Sequence, residues 1–92
     1  MSHTTTIPQK LLKMNRLEIL ETKSIRESSE IISELYDIFL KKFKRNSDAE
    51  LCIFTSGLPK SKSERHGISL QWEDKDSEEA DFYKQIIEQY KK

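Results

Sequence analysis

The clearest pattern in the chain is an apolar residue at every third or fourth position through its middle third. The residues are Ile31, Ile32, Leu35, Ile38, Phe39 and Phe43. This spacing places them on one face of a helix of about twenty residues. The preceding Ser24-Ile25-Arg26-Glu27 fits a capping box, in which the Ser24 side chain accepts a hydrogen bond from the Glu27 amide. We therefore predict a long amphipathic helix that begins after Ser24.

A short run before this helix alternates between apolar and polar residues. Leu17 and Ile19 flank Glu18, and such alternation is typical of a half-buried strand. The alternative is a helix over residues 8–21, since Pro8 is tolerated in a first helical turn. We favour the strand because the apolar positions of that helix would leave a gap at Asn15.

Two further strands are predicted after the helix. Residues 50–55 are rich in residues that favour strands, and both faces of this run are apolar. Residues 68–72 alternate strictly, with Ile68, Leu70 and Trp72 on one side. Their simplest pairing is a hairpin joined by the loop 57–67.

A last helix is predicted at the end of the chain, with Asp76 or Ser77 as its N-cap. The order is β-α-β-β-α, which predicts an α+β fold with both helices packed on a mostly antiparallel three-stranded sheet. We expect residues 1–9 to form a flexible tail and residues 10–92 a single domain. The predicted core comprises Ile32, Leu35, Phe39, Ile53, Leu70, Trp72, Phe82 and Ile86.

Composition excludes several classes of protein. The 92 residues carry 16 basic and 16 acidic side chains, so the formal net charge is zero. A globally basic nucleic-acid-binding domain is therefore excluded. The single cysteine, Cys52, cannot form an internal disulfide, which fits a reducing compartment. No apolar run reaches the roughly 20 residues of a membrane span, and the first residues lack the pattern of a secretory signal. A cytoplasmic location is expected.

Basic side chains concentrate at two places that are candidate partner-binding sites. The loop 57–67 carries one group, and the end of the long helix carries the other. The candidate residues are Lys60, Lys62, Arg65, His66, Lys41, Lys44 and Arg45. The loop is longer than the usual hairpin connection of about 2–5 residues. The helix end has a simpler explanation, because cations are favoured at any helix C-terminus.

Enzymatic chemistry finds little support in the sequence. Cys52 lies within an apolar strand, where cysteine usually behaves as a small core residue. Cys52, His3 and His66 do not have the spacing of zinc ligands, and no glycine-rich phosphate-binding turn is present. We predict no enzyme activity, no metal and no cofactor.

The leading hypothesis is a small non-enzymatic interaction module that binds and regulates another protein. The alternative is a nucleic-acid-binding module that uses the loop 60–66 and the helix end 41–45. A weaker option is a small nuclease that uses Arg65 and His66. Because residues 51–54 are apolar on both faces, one sheet face would expose either Cys52 and Phe54 or Leu51 and Ile53, so a homodimer is also possible.

Overall fold

A computed structural model describes residues 14–58 and 62–91, and the predicted β-α-β-β-α order is confirmed. The elements are β1 (Asn15–Thr22), α1 (Ile25–Phe43), β2 (Glu50–Ser56), β3 (Arg65–Trp72) and α2 (Ser77–Ile86). Short 3₁₀ turns, Asp74–Asp76 and Ile87–Tyr90, flank α2. The predicted tail 1–9 and Lys60 lie outside the described residues. No helix in the described ranges has the length and apolar character that a membrane crossing requires.

The three strands form one antiparallel sheet in the order β1-β3-β2. The strand prediction for the first run is confirmed over Asn15–Thr22, and the alternative helix is wrong there. Leu70 of β3 lies in register with Leu17 of β1 and Leu51 of β2. Because β3 is central, β1 and β2 each keep one edge outside this pairing.

The strand β3 begins earlier than predicted. The sequence assigned Arg65, His66 and Gly67 to the loop, but all three belong to β3, where Arg65 pairs with Ser56. The strict alternation begins only at Ile68, so it conceals the polar start of the strand. Pairing with β2 and β1 on both sides extends the strand beyond its apolar residues.

The two faces of the sheet have different roles. The helices cover the face that carries Ile68 and Leu70, which are completely buried in the core. Cross-strand partners share a face, so Glu18, Cys52 and Ser69 lie together on the opposite face. We call this opposite face, which also carries Arg65 and Phe54, the open face.

The core lies between the helices and the sheet, as expected. Leu35, Phe39 and Leu70 are buried, and the predicted Ile32, Trp72, Phe82 and Ile86 pack against them while partly buried. The placement of Ile53 in the core is wrong, since it is 38% exposed. Ile53 shares a face with Ile68, but β2 is an edge strand and leaves that side chain at the rim.

Both ends of α1 follow from local chemistry. Ser24 is the N-cap, and its Oγ accepts from the Glu27 amide at 3.1 Å. The Lys23 amide donates to Glu27 Oε1 at 2.7 Å, which completes the predicted capping box. At the other end, Lys44 takes a left-handed conformation with φ 62°, and its amide donates to the Leu40 carbonyl.

Candidate functional site

A groove runs along the edge of β1. Its volume is about 580 Å³, which falls within the usual range of about 300–1,000 Å³ for ligand sites. The strand β1, the start of α1, the open face and the last 3₁₀ turn all contribute to its walls. The lining residues are Glu18, Ile19, Leu20, Glu21, Thr22, Lys23, Glu27, Phe54, Arg65, Tyr90 and Lys91.

A guanidinium held in place by carboxylates forms one wall of the groove. Arg65 Nε donates to Glu21 Oε2 at 3.2 Å, and Arg65 Nη2 lies 3.6 Å from Glu18 Oε1. The hydrogen bond that Arg65 donates to Glu21 and the charges of both carboxylates raise the pKa of Arg65. The same guanidinium lies over the Phe54 ring, 5.7 Å from its centroid. Arg65 is therefore fixed in position but is already neutralised within the chain.

The position of Phe54 explains why the open face is not an apolar patch. Phe54 is opposite Gly67 in the ladder, and a side chain at Gly67 would collide with the Phe54 ring and with the Leu20 carbonyl oxygen. The absence of that side chain lets the ring lie against β3 at Gly67. Together with Arg65, this leaves Phe54 only 7% exposed.

The other wall of the groove comes from the two helical segments. Tyr90 donates its phenol hydrogen to Glu34 Oε1 at 2.7 Å. Burial, together with this carboxylate, raises the pKa of Tyr90 to about 12. Lys91 Nζ lies 3.0 Å from Glu88 Oε2. The groove therefore combines fixed carboxylates, lysine and arginine groups and a phenol, with strand β1 at its base.

The described basic residues of the hairpin, Lys62, Arg65 and His66, are not brought together. Arg65 lines the groove on the open face. His66 follows it in the strand and therefore points to the helix face, where Nε2 lies 3.4 Å from Glu64 Oε2. Lys62 is exposed beyond the strands. Arg65 and His66 thus lie on opposite faces of the sheet.

The basic residues at the end of α1 have structural contacts of their own. Lys41 pairs with Asp37 at 3.0 Å, and Lys44 forms the exposed C-cap. Arg45 Nη1 lies 2.7 Å from Glu79 Oε2. These residues are far along α1 from the Ser24 end that borders the groove, so they form no common site with Arg65.

A second polar cluster lies where α1 leads into β2. Carboxylate oxygens of Asp48, Asp76 and Glu79 all lie within 4.8 Å of one another, a spacing compatible with a hard cation. The Glu79 carboxylate, however, is already engaged by Arg45 and by two amides, since Oε1 accepts from Asp48 and Ala49 at 2.8 and 3.0 Å. We interpret Glu79 as a structural residue that holds the segment before β2 against α2.

The pKa of Glu79 agrees with this structural role. Burial opposes ionisation of this carboxylate, but the hydrogen bonds from Ala49, Arg45 and Asp48 outweigh it and lower the pKa of Glu79. A second polar contact lies nearby, where Tyr83 donates to Ser47 Oγ at 2.8 Å. The side chains of Glu79 and Tyr83 therefore hold the segment before β2 against α2. The sequence did not predict these contacts.

Cys52 and His66 do not approach one another. Cys52 is half-buried on the open face opposite Ser69, whereas His66 lies on the helix face. A cysteine nucleophile needs a base within hydrogen-bonding reach, and these two side chains lie on opposite sides of the sheet.

Comparison of the sequence with protein-family models found no match, and searches of curated proteins and of solved structures found none either. The groove and its charges are therefore the basis on which a function is argued.

Proposed function

We propose that this chain is a small non-enzymatic interaction module that binds and regulates another protein, and that the β1 groove receives a segment of that partner. The observation that supports this most directly is the mixed charge of the groove. Glu18, Glu21 and Glu27 line it together with Lys23, Arg65 and Lys91. A segment of protein chain, which carries side chains of both signs and an amide backbone, is the ligand that complements such a surface.

Rigid presentation of the groove also supports the proposal. Arg65 is held by Glu18 and Glu21, and Glu27 is held by the capping box. A partner binding here would meet groups that are already ordered, so less conformational entropy is lost when the complex forms.

The nucleic-acid alternative has weaker support. The carboxylates of Glu18, Glu21 and Glu27 would repel phosphates at the groove. Lys41, Arg45 and Arg65 are already paired with carboxylates, so each would have to leave an ion pair to contact a phosphate. These pairings reduce the basic surface that such binding requires.

We also propose that the protein works in the cytoplasm. The free thiol of Cys52 is half-buried, and unpaired cysteines are usual where the compartment is reducing. A labelled chain in its native host would show this directly by its distribution between compartments.

Capture of a partner from an extract of the native host tests the function. The full chain is immobilised as wild type and as Arg65→Glu, and the extract is used with and without nuclease. We expect Arg65→Glu to reduce capture by about tenfold, because the reversed charge costs on the order of 1.4 kcal/mol at the interface. Nuclease treatment should leave the captured protein unchanged.

The matched control is Arg16→Glu, which makes the same charge reversal on the open face outside the groove. Its capture should equal that of the wild type. Thermal unfolding of both variants would verify that the fold is intact. Equal loss in both variants, or loss of the captured protein on nuclease treatment, would contradict the groove as a protein-binding site.

A further inference from the structure

Asp76 is a buried carboxylate without a partner in the described part of the chain. It is only 8% exposed, and an aspartate is rarely buried to this extent unless it is paired. It is the N-cap of α2, but its side chain accepts none of the helix amides. Within residues 14–58 and 62–91, no other hydrogen bond and no ion pair reaches its carboxylate. A buried charge in this state costs free energy, so the carboxylate would gain from a positively charged ligand.

The sequence around Asp76 predicts a different use of its side chain. Residues 76–79 have the spacing of a capping box, in which the N-cap side chain and the glutamate three positions later each accept from the other's amide. Neither contact forms here. Glu79 instead accepts from the amides of Asp48 and Ala49. The carboxylate of Asp76 is therefore not used to cap the helix.

The Asp76 carboxylate lies close to two others. One oxygen of Asp76, one of Asp48 and one of Glu79 all lie within 4.8 Å of one another. Two oxygens bound to the same Ca²⁺ at about 2.4 Å can be separated by at most about 4.8 Å, so a single ion can reach all three. Asp76 and Glu79 are buried and Asp48 is exposed. An ion would therefore enter from the side of Asp48.

Glu79 keeps one acceptor position for a further ligand. An ionised carboxylate offers about four such positions. The two amide hydrogens occupy Oε1, and the Arg45 guanidinium occupies one position on Oε2. A cation can therefore bind through Oε2 while Glu79 still holds the segment before β2 against α2.

Negative charge exceeds positive charge in this cluster. Arg45 is the one cation among the described residues that forms an ion pair with it, at 2.7 Å from Glu79 Oε2. The hydrogen bond that Arg45 donates to Glu79 raises the pKa of Arg45, and the charges of Glu79, Asp48 and Asp76 add to this increase. The N-terminus of α2 contributes the equivalent of roughly half a positive charge. Three carboxylates still outweigh these groups, and one divalent cation would neutralise the difference.

We propose that Asp48, Asp76 and Glu79 bind one hard divalent cation, Ca²⁺ or Mg²⁺, where the segment before β2 meets α2. The ligand atoms are carboxylate oxygens, which these ions prefer, rather than the thiolates and imidazoles usual for zinc. The proposal departs from the expectation of no metal, which rested on spacing along the sequence, because these ligands meet only in the fold. None of the three lines the β1 groove, so the site goes beyond the function proposed above.

Three protein ligands predict weak binding. Ca²⁺ sites extend to dissociation constants of about 0.1–1 mM at their weak end, and we expect a Kd of about 1 mM for this one. Because the three ligands come together only in the folded chain, the ion should stabilise that state by mass action.

Thermal unfolding of the full chain tests the site. After treatment with EDTA, the midpoint is measured in CaCl₂, in MgCl₂ and in NaCl of equal ionic strength. At a divalent ion concentration of about ten times Kd, the ratio of folded to unfolded chain rises roughly elevenfold. We expect this to raise the midpoint by about 5 °C relative to NaCl. The larger of the two divalent responses identifies the preferred ion.

Amide chemical shifts locate the ion without any substitution. Titration of the full chain with CaCl₂ or MgCl₂ should move the amide signals of Asp48, Ala49 and residues 76–79. The signals of Ile25 and Glu27, in the first turn of α1, should stay in place. Movement confined to residues outside the cluster would contradict the assignment of the ligands.

Asp76→Asn separates a ligand from a structural residue. We expect this variant to lose the response to the divalent ion, and to unfold in NaCl at or above the midpoint of the wild type, since no partner of Asp76 is lost. Asp48→Asn, at an exposed position, should weaken binding by about tenfold, because one charged ligand is removed. The matched control is Asp81→Asn, the same change on α2 at a residue that pairs with Lys84. It should keep the full response.

Equal midpoints in all three salts would overturn the site, as would a full response in Asp76→Asn or in Asp48→Asn. A midpoint of Asp76→Asn in NaCl well below that of the wild type would also contradict the proposal, because it would show that the carboxylate stabilises the fold without an ion. None of these results affects the capture experiment with Arg65→Glu, which concerns the β1 groove.

Discussion

Within residues 14–58 and 62–91, each of the two outer strands has one edge that pairs with no further strand, and these two edges differ in their chemistry. Along β1, the register shifts between Glu18 and Leu20, and Glu18, Glu21 and Arg65 surround the edge with charge. Along β2, the register is continuous, and the residues whose main-chain groups face outward, Ile53 and Thr55, are uncharged. Bulges and charges are the usual means by which an edge is protected from pairing.

This difference makes the two edges suited to different kinds of contact. At β1, the proposed recognition depends on side-chain charge, because the irregular strand presents a poor template for another strand. At β2, the hydroxyl of Tyr36 satisfies the groups of Leu51, and no contact within the described residues satisfies the outward groups of the rest of the edge.

The largest effect is expected for Gly67→Ala, because Gly67 lies between the two edges. A Cβ there would collide with Leu20 of β1 and Phe54 of β2. We expect a loss of about 3 kcal/mol in the free energy of unfolding, as for overpacking. Urea denaturation measures the loss, and hydrogen exchange shows which edge loosens.

The control for that change is Ser69→Ala, on the same strand and face. Ser69 is fully buried, and its hydroxyl has no hydrogen-bond partner in the described structure, so its removal should cost little. If Gly67→Ala were as mild as Ser69→Ala, the close approach of the two edges at this position would be refuted.

A smaller effect is expected at the start of β2, for Glu79→Gln. The substitution removes the ionic contact to Arg45 and weakens the hydrogen bonds from Asp48 and Ala49. We expect a loss of about 2 kcal/mol at neutral pH. Glu78→Gln, an exposed neighbour, is the control and should be neutral.

The pH dependence of unfolding sharpens this prediction. The pKa of Glu79 is lower in the folded chain than its ordinary value of 4.5, so the unfolded chain takes up the proton first as the pH falls. The stabilisation is therefore complete above pH 4.5 and is lost as the pH falls through the folded pKa. Denaturation curves at several pH values should show this loss in the wild type, and an equal loss in Glu79→Gln would contradict the assignment.

Tyr36→Phe should cost about 1 kcal/mol, because the Leu51 groups lose one hydrogen-bonding partner. The main-chain groups of Leu51 would then have no side-chain hydroxyl beside them, as is already the case for Ile53 and Thr55 in the described structure. Hydrogen exchange of the Leu51 amide is expected to accelerate. Tyr90→Phe, which loses a phenol contact on the other side of the molecule, should leave that amide unchanged. No change at Leu51 in Tyr36→Phe would mean that the hydroxyl does not protect the edge.

The smallest effect is expected for Glu21→Gln on the β1 edge. The ion pair between Glu21 and Arg65 is exposed on both sides, and such pairs contribute no more than about 0.5 kcal/mol in most contexts. The free energy of unfolding of Glu21→Gln should be nearly equal to that of the wild type at low and at high salt concentration. A larger loss would show that the β1 edge depends on its charges for stability.

The parts of the molecule whose structure depends only on residues nearby in the sequence could be predicted from the sequence. The capping box of Ser24 and Glu27 starts α1 as expected, and the spacing of Leu35 and Phe39 identifies the buried face. The alternation through Leu70 identifies the interior strand. These signals are local, because helix and strand periodicities assign a face to each residue without reference to the rest of the chain.

The groove could not be predicted in the same way. Arg65 was identified as a candidate, but Glu18 and Glu21, which hold it, lie more than forty residues away in sequence. Their meeting depends on the pairing of β1 with β3 and on the irregularity after Glu18. The alternation of apolar and polar residues around Glu18 predicts the face of the strand on which Glu18 lies. It does not predict which residue of another strand Glu18 contacts.

The sequence by itself determined the order of elements, the buried stripe of α1 and the absence of an internal disulfide, because each follows from local spacing or from counting residues. Only the tertiary structure decided that β2 lies at an edge, that Ile53 is exposed at its rim, and that Tyr36 occupies the groups of Leu51. The order of strands in a sheet depends on contacts between distant segments. A period of two residues specifies the faces of a strand but does not specify its neighbours.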